Sequence, residues 1–128
     1  MMENKSLIHG LGNDILEIAR IRRVIDTHGK KALSRLFTPK ERLYCLKRRD
    51  PVPHFAGKFC AKEAVVKALG CGLGKTASWQ DIEILNNDAG EPEVFLSPAL
   101  NTKFNHPKIL ISISHCKLYA MATAIWVS

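Results

Sequence analysis

The stretch FCAKEAVVKALGCG, at residues 59–72, decides the fold because it predicts a long and largely buried helix. Alanine, valine, lysine, glutamate and leucine favour helix, and no helix breaker occurs before Gly70. Together with the residues just before it, the stretch predicts a helix over positions 54–69. Its apolar side chains cover most of the circumference: Phe55, Ala56, Phe59, Cys60, Ala64, Val65, Val66, Ala68 and Leu69. A helix with so wide an apolar surface is packed on most sides.

Two charged residues interrupt this apolar surface. Glu63 and Lys67 lie one helical turn apart on the same side of the helix. Buried charges are costly unless they pair or engage a ligand. The two residues therefore indicate either a functional site or an ordinary helix pair worth ~0.3–0.5 kcal/mol. The helix alone leaves both interpretations open.

A second acidic residue stands at the end of a predicted strand near the start of the chain. Residues 7–15 alternate with a period of two, which places Gly10, Gly12 and Asp14 on one face. The two glycines leave bare backbone that a ligand or a helix could approach closely. Asp14 is therefore a candidate site residue, the N-cap of a helix that starts near Leu16, or both.

Three stretches of the chain resemble the signature blocks of one enzyme family. They are GNDILEIARI at 12–21, KFCAKEAVVKALGCG at 58–72 and ISISHCKLYAMA at 111–122. In order and spacing they are similar to the blocks of bacterial holo-[acyl-carrier-protein] synthases, with small departures at Asn13 and Cys60. The resemblance implies a single phosphopantetheinyl transferase domain over residues 1–128. It also implies transfer of 4′-phosphopantetheine from coenzyme A to a serine of apo-acyl-carrier protein, with release of adenosine 3′,5′-bisphosphate.

The remaining elements predict an α+β fold. Helices are expected over residues 16–28, where Gly29 is the C-terminal cap, over 30–37, and from Thr38, whose capping box uses Glu41. Residues 50–53 are expected to end the helix that follows Thr38 and to separate it from the long helix. Strands are expected near 81–85, 93–96, 109–114 and 119–127, and Ser97-Pro98 opens a short helix. The pattern predicts helices in the first half and a mostly antiparallel sheet in the second, which the early strand joins.

Composition restricts the possible partners. The chain has 128 residues, a net charge of +7 and a pI near 9.4, so nucleic acid, an acidic protein or a phosphate-rich small molecule is a natural partner. No apolar run is long enough to span a membrane, and the first residues lack the apolar core of a secretion signal. The four cysteines have no metal-binding spacing, so we expect reduced packing residues of a cytoplasmic protein.

The last predicted strand carries small residues on one face. Ala120, Ala122 and Ala124 share that face, so another element can pack closely against it. A helix of the same chain is the simplest candidate. The family resemblance implies in addition a homotrimer, with active sites between neighbouring subunits.

The family reaction attacks the phosphorus of a pyrophosphate, so the catalyst must neutralise charge, align the groups and remove a proton. Asp14 and Glu63 match the two carboxylates with which the family holds Mg²⁺, a cation that prefers oxygen ligands. Glu63, directly or through a water, is the best candidate to accept the serine proton, although Asp14 remains an alternative. Lys67 would neutralise the pyrophosphate and the departing phosphate.

Binding residues for the two substrates also follow from the resemblance. Candidates for coenzyme A are Arg49, Lys58, Lys62, Lys67, Gly70, Gly72 and, reaching over from a neighbouring subunit, His115. Arg20 matches the residue that the family's first helix presents to the acidic carrier, and Arg23 lies one turn further on. Arg22 lies on another side of that helix, and we expect it to be solvated.

Two other functions are compatible with the basic composition. A nucleic-acid-binding module would use the same cations on phosphates, but Asp14 and Glu63 would repel phosphate without a metal. A metal-dependent phosphohydrolase would use the same acids and lysine, with water as the nucleophile.

Overall fold

The computed structural model describes residues 7–128. Its helices are α1 (Ile18–His28), α2 (Lys30–Leu36), α3 (Pro39–Leu46), α4 (Pro51–Leu69) and α5 (Pro98–Lys103). Its strands are β1 (Ile8–Glu17), β2 (Ile82–Asn86), β3 (Pro92–Leu96), β4 (Lys108–His115) and β5 (Tyr119–Val127). The α+β class is confirmed. Within the described part of the chain, no helix is both long and apolar enough to cross a membrane.

The strands form two antiparallel sheets rather than one. The first sheet has the order β1-β5-β4, and β2 and β3 form a separate hairpin. β1 therefore does join the C-terminal hairpin, as expected, because it pairs with β5 along most of its length. The central helix α4 packs against this three-stranded sheet, and its side chains form much of the core.

The glycines of β1 allow the closest contact between the sheet and α4. A Cβ atom on Gly12 would lie 1.9 Å from the carbonyl oxygen of Ala64, and one on Gly10 would lie 1.8 Å from that of Ala68. Real Cβ atoms do not approach backbone oxygen so closely, so only glycine fits at either position. The strand backbone consequently lies directly on the helix, which brings Asp14 beside the turn that carries Glu63 and Lys67.

The small-residue face of β5 packs against this same helix. Ala120, Ala122 and Ala124 are buried, and α4 covers them. The simplest explanation of that face is therefore correct. The opposite face of the sheet is apolar and exposed: Leu11 is 64% exposed, Ile15 62% and Leu110 50%.

Two predicted boundaries are wrong for local reasons. β1 continues to Glu17, and α1 begins only at Ile18, so Asp14 is a strand residue and not an N-cap. α4 begins at Pro51, because Asp50 accepts a hydrogen bond from the Val52 N–H and proline fits the first turn. Residues 50–53 thus start the helix that they were expected to precede.

Other predicted caps and packing residues can be compared directly with the structure. The capping box of Thr38 and Glu41 is present, Gly29 caps α1, and Ser97 caps α5. All four cysteines are free, and Cys45 and Cys60 are buried as expected. Cys116 is exposed in the β4–β5 turn, so it is not a packing residue.

Candidate active site

Asp14 and Lys67 meet where β1 crosses α4. The Lys67 Nζ donates to the Asn13 carbonyl oxygen at 2.8 Å and lies 3.4 Å from Asp14 Oδ1. The Asp14 side chain is 19% exposed and that of Lys67 52%, so the pair lies at the surface of the fold and not in its core. A ligand can therefore reach both groups from solvent.

Glu63 is the third charged member of this group. Partial burial raises the pKa of the Glu63 carboxyl, the negative charge of Asp14 raises it further, and Lys67 opposes both. The two carboxylates thus repel each other, and one lysine serves both. The structure thus brings Asp14, Glu63 and Lys67 together at one place, although the three residues are distant in sequence or lie on different elements.

The acids face a cavity of about 540 Å³ between α1, α4 and the end of β1. Arg20 and Arg23 line the same cavity, so the first helix presents two guanidinium groups next to Asp14 and Glu63. Arg22 is directed elsewhere and forms a 2.9 Å ion pair with Asp50. The expectation that Arg22 is merely solvated is therefore wrong in detail.

Cys60 is a site neighbour that the sequence did not identify. Burial, as the largest cause, and the nearby negative charge of Asp14 raise the pKa of its thiol to about 12. The thiol therefore stays protonated, and its Sγ donates to the Ala120 carbonyl oxygen at 3.5 Å. The only available signal was its position one turn before Ala64 on the face that meets β1.

Lys62 does not belong to this site. Its Nζ lies 2.7 Å from Glu41 Oε1 and donates to the carbonyl oxygens of Leu36 and Trp79, both at 2.8 Å. Both charged side chains are fully buried. An ammonium group has three donors, and all three are used. The structure does not support the predicted contact with coenzyme A and gives Lys62 a structural role instead.

Lys58 lies away from the acids, near the start of α4. It is 3% exposed, and its Nζ donates to the Ile84 carbonyl oxygen at 2.6 Å and to Asn86 Oδ1 at 2.9 Å. Its Nζ also lies 4.6 Å from the centre of the Tyr44 ring. Tyr44 and Asn86 line a cavity of about 450 Å³ together with Lys40, Leu43, Lys47, Arg48 and Leu85. The charged residues that line this cavity are all basic, and it is separate from the cavity that Asp14 and Glu63 face.

His115 ends β4 at the same end of the molecule. Its ring centre lies 5.6 Å from that of His54, in the first turn of α4. Nine helical residues separate His54 from Glu63, a distance of about 14 Å along the axis. His115 is therefore remote from the acids of its own chain. The sequence does not single out His54, because its neighbour His115 is distant in sequence.

The remaining candidates lie in exposed segments. Gly70 caps α4 with a φ of 71°, a left-handed conformation that explains the glycine without any ligand. Gly72 has open space around its α-carbon. Arg49 is exposed next to the start of α4. Contact of these three residues with coenzyme A stays a prediction.

The residues present fit a divalent cation. Asp14 and Glu63 offer carboxylate oxygens on one cavity, and their mutual repulsion is what a hard cation would relieve. Residues 7–128 contain no group of three or more potential metal-ligating side chains, so a cation here would also need oxygens from water or substrate. This is the usual situation of Mg²⁺ beside phosphates.

The carboxylate pair, the lysine and the two arginines on one cavity are groups that suit a divalent cation together with a phosphate ester. Residues 10–124 match the 4′-phosphopantetheinyl transferase superfamily. The chain is 55% identical to a holo-[acyl-carrier-protein] synthase of Protochlamydia amoebophila, over 93% of this chain and 98% of the relative. It is 52% identical to one of Chlamydia pneumoniae, over 93% and 96%.

Two solved structures of relatives match the fold of this chain. The holo-[acyl-carrier-protein] synthase of Neisseria meningitidis matches with a TM-score of 0.87 and 31% identity, over 94% of this chain and 99% of that one. One from Helicobacter pylori, solved with coenzyme A, matches with a TM-score of 0.83 and 34% identity, over 91% and 98%. The chain belongs to the holo-[acyl-carrier-protein] synthase family of phosphopantetheinyl transferases.

Proposed function

We propose that this protein transfers 4′-phosphopantetheine from coenzyme A to a serine hydroxyl of apo-acyl-carrier protein and releases adenosine 3′,5′-bisphosphate. The observation that carries the proposal is the meeting of Asp14, Glu63 and Lys67 on one cavity, in a chain that matches the transferase family over residues 10–124. We expect this transfer to take place in the cytoplasm, with carrier proteins of fatty-acid synthesis as the acceptors.

Each charged residue has a role that its surroundings support. Asp14 and Glu63 would hold Mg²⁺, which supplies positive charge to the pyrophosphate when it is bound. Glu63, directly or through a water, accepts the serine proton, and Asp14 is the alternative base. Lys67 stays half-exposed beside Asp14, where its charge stabilises the departing phosphate.

The residues for the other end of coenzyme A form a second group. His115 contacts His54 in the first turn of α4, Lys58 joins His54 through the Tyr44 ring, and Arg49 is exposed just before that helix. The relatives solved with coenzyme A support the choice of ligand for this fold. We assign this group to the adenosine and its 3′-phosphate in a neighbour's site, and Gly70 and Gly72 to backbone contacts.

We also propose the homotrimer that the family resemblance implies. The exposed sheet face carries a row of apolar side chains. Leu11 of β1 and Leu110 of β4 lie on either side of Ile125 in β5. Ile15 of β1 likewise pairs with Met121 of β5. An exposed apolar sheet face is a typical surface for a second copy. Light scattering should give the mass of three chains.

A mixing experiment tests whether sites are shared between subunits. His115→Ala and Glu63→Gln subunits, each inactive alone, should regain activity when they are unfolded and refolded together. One site in the mixed oligomer then has an intact Glu63 and an intact neighbouring His115. An active monomer, or mixtures that never exceed either parent, would contradict the shared site.

The activity itself is tested by mass spectrometry. The protein, coenzyme A, Mg²⁺ and an apo-carrier are incubated, and one phosphopantetheine should be added to the carrier. The same mixture with a chelator in place of Mg²⁺ should leave the carrier unchanged. Release of the bisphosphate without modification of any carrier would indicate the phosphohydrolase instead. An unmodified carrier and intact coenzyme A would contradict both enzymes.

A further inference from the structure

A second cluster of titratable side chains lies at the start of α4, away from the acids. It consists of Tyr44, Arg48, His54, Lys58 and His115, which we call the cationic cluster. Arg48 lies 4.3 Å and Lys58 4.6 Å from the centre of the Tyr44 ring. The His54 ring makes edge contacts with Tyr44 at 6.4 Å and with His115 at 5.6 Å. Three basic side chains thus contact the Tyr44 ring, and His115 joins the group through its contact with His54.

The charge of this cluster is poorly balanced. The charged and titratable groups that face His54 are His115 from β4, Arg48 from the turn after α3, Lys58 from its own helix and Asp50 at the helix N-cap. Asp50 is the one acid among them, and its carboxylate is engaged by Arg22 at 2.9 Å. Such a concentration of cations suits an anion of high charge.

We propose that His54 is a positioning residue that takes up a proton when a phosphate monoester of the cofactor binds beside His115. The inference rests on the proposed function, because it takes the phosphate of coenzyme A as the anion. His54 holds the His115 ring by its edge contact and adds positive charge once the phosphate has arrived.

The proton balance follows from the surroundings of His54. Partial burial lowers the pKa of His54, and the charges of His115, Arg48 and Lys58 lower it further, against a small opposing effect of Asp50. The ring is therefore neutral in the free protein at neutral pH. A bound phosphate dianion stabilises the imidazolium and raises this pKa. The proton comes from solvent, and no bond in the ligand changes.

Binding of adenosine 3′,5′-bisphosphate to the whole protein tests the inference. Calorimetry is run at about pH 6 and about pH 8 on the wild type and on His54→Gln, whose side chain is polar and cannot take up a proton. The ligand has its own phosphate titration, which is identical for both proteins, so the ratio of their affinities isolates His54. At about pH 6 we expect the wild type to bind the bisphosphate about 3–10-fold more tightly than His54→Gln does. At about pH 8 the two proteins should bind it nearly equally.

Two controls make the result specific. His106→Asn replaces an exposed histidine remote from the cluster. This variant should bind the bisphosphate as tightly as the wild type does at either pH. Adenosine 5′-monophosphate lacks the 3′-phosphate and should show a smaller difference between wild type and His54→Gln. Repeating the titration in two buffers of different ionisation enthalpy should show greater proton uptake by the wild type.

An equal loss of affinity at both pH values would overturn the inference, since it would make His54 merely structural. Equal proton uptake by wild type and variant would overturn it as well. His54→Phe keeps the aromatic contacts and provides a second variant if His54→Gln does not fold. Failure of carrier modification would overturn the proposed function, which is read from the carrier and not from these titrations.

Discussion

Two charged groups on α4 differ although they begin at adjacent residues. Lys62 pairs with Glu41 inside the protein, where both side chains are fully buried. Glu41 also accepts from the Thr38 N–H at 2.8 Å and the Ile84 N–H at 2.7 Å. Every charge there has its partner. Glu63, in contrast, shares a single lysine with Asp14 at the edge of an open cavity.

The difference separates stability from chemistry. A buried pair with complete hydrogen bonding fixes how α3, α4 and β2 meet, and removal of one partner leaves a buried charge without compensation. Asp14 and Glu63 repel each other at an accessible edge, which costs stability. The same two carboxylates are available to a cation or a substrate. We therefore expect substitutions at residues 62 and 63 to affect different measurements.

The largest effect on stability is expected for Lys62→Met. The buried Glu41 carboxylate would lose its counter-ion, so the free energy of unfolding should fall by about 3–5 kcal/mol. Urea unfolding at neutral pH measures this loss. The double variant Glu41→Gln with Lys62→Met removes both charges and keeps a side-chain oxygen for one of the two backbone N–H groups that Glu41 binds, so it should recover part of the loss.

Lys75→Met is the matched control for that substitution. Lys75 is exposed in the loop after α4, so its removal should change the free energy of unfolding by less than about 0.5 kcal/mol. If Lys62→Met lost no more than this control, the buried pair would not hold these elements together.

The next effect concerns catalysis. Lys67→Met should lower the turnover number by about 10–100-fold, because the charge that stabilises the departing phosphate is gone. The side chain is 52% exposed, so the variant should remain folded. Steady-state transfer to an apo-carrier measures the change, with Lys75→Met again as the control. Unchanged turnover would remove Lys67 from the site.

A smaller effect is expected on the stability of Glu63→Gln. The raised pKa means that the folded protein prefers the protonated carboxyl, so stability from this group is present below pH 4.5, its ordinary value, and is lost as pH rises through the raised pKa. At neutral pH without divalent cation, the variant should melt about 1–3 °C higher than the wild type. Below about pH 4 the advantage should disappear.

Addition of Mg²⁺ and coenzyme A sharpens this prediction. The wild type should gain more thermal stability than Glu63→Gln, because a ligand stabilises only the state that binds it. A variant that melts lower than the wild type at neutral pH would show that the Glu63 charge is compensated. The two acids would then not compete for Lys67.

The smallest expected effect is that of Arg20→Glu. If α1 presents Arg20 to an acidic carrier, the Michaelis constant for the carrier should rise several-fold and depend less on salt, because exposed charges are screened within ~8 Å at physiological ionic strength. The constant for coenzyme A should barely change. Lys75→Glu changes the net charge equally and lies outside the cavity that Asp14 and Glu63 face, so it is the matched control. An equal loss for both substrates would assign Arg20 to the cofactor.

Local signals in the sequence predicted much of the fold and the central site. The run of helix formers in α4, the Thr38–Glu41 capping box and the alternation of β1 are each set within a few residues. Asp14, Glu63 and Lys67 were found because each stands out from an apolar or glycine-rich element. The structure then places them on one cavity.

Contacts between distant residues were not predictable in the same way. The burial of Lys62 depends on Glu41, which belongs to another helix, and the cationic cluster depends on β4 reaching the start of α4. The sequence does not predict the early start of α4, because Pro51 is compatible both with a break after α3 and with the first turn of a helix. The separation of the strands into two sheets also depends on tertiary pairing.

The most direct test of the account is single-turnover transfer by Glu63→Gln, with saturating Mg²⁺, coenzyme A and apo-carrier, beside Lys75→Met and the wild type. The account predicts a folded variant whose transfer rate is lower by about 100-fold or more, while Lys75→Met keeps the wild-type rate. A folded Glu63→Gln that retains more than about a tenth of the wild-type rate, a loss of under ~1.4 kcal/mol, would contradict the assignment of Glu63 to the chemistry.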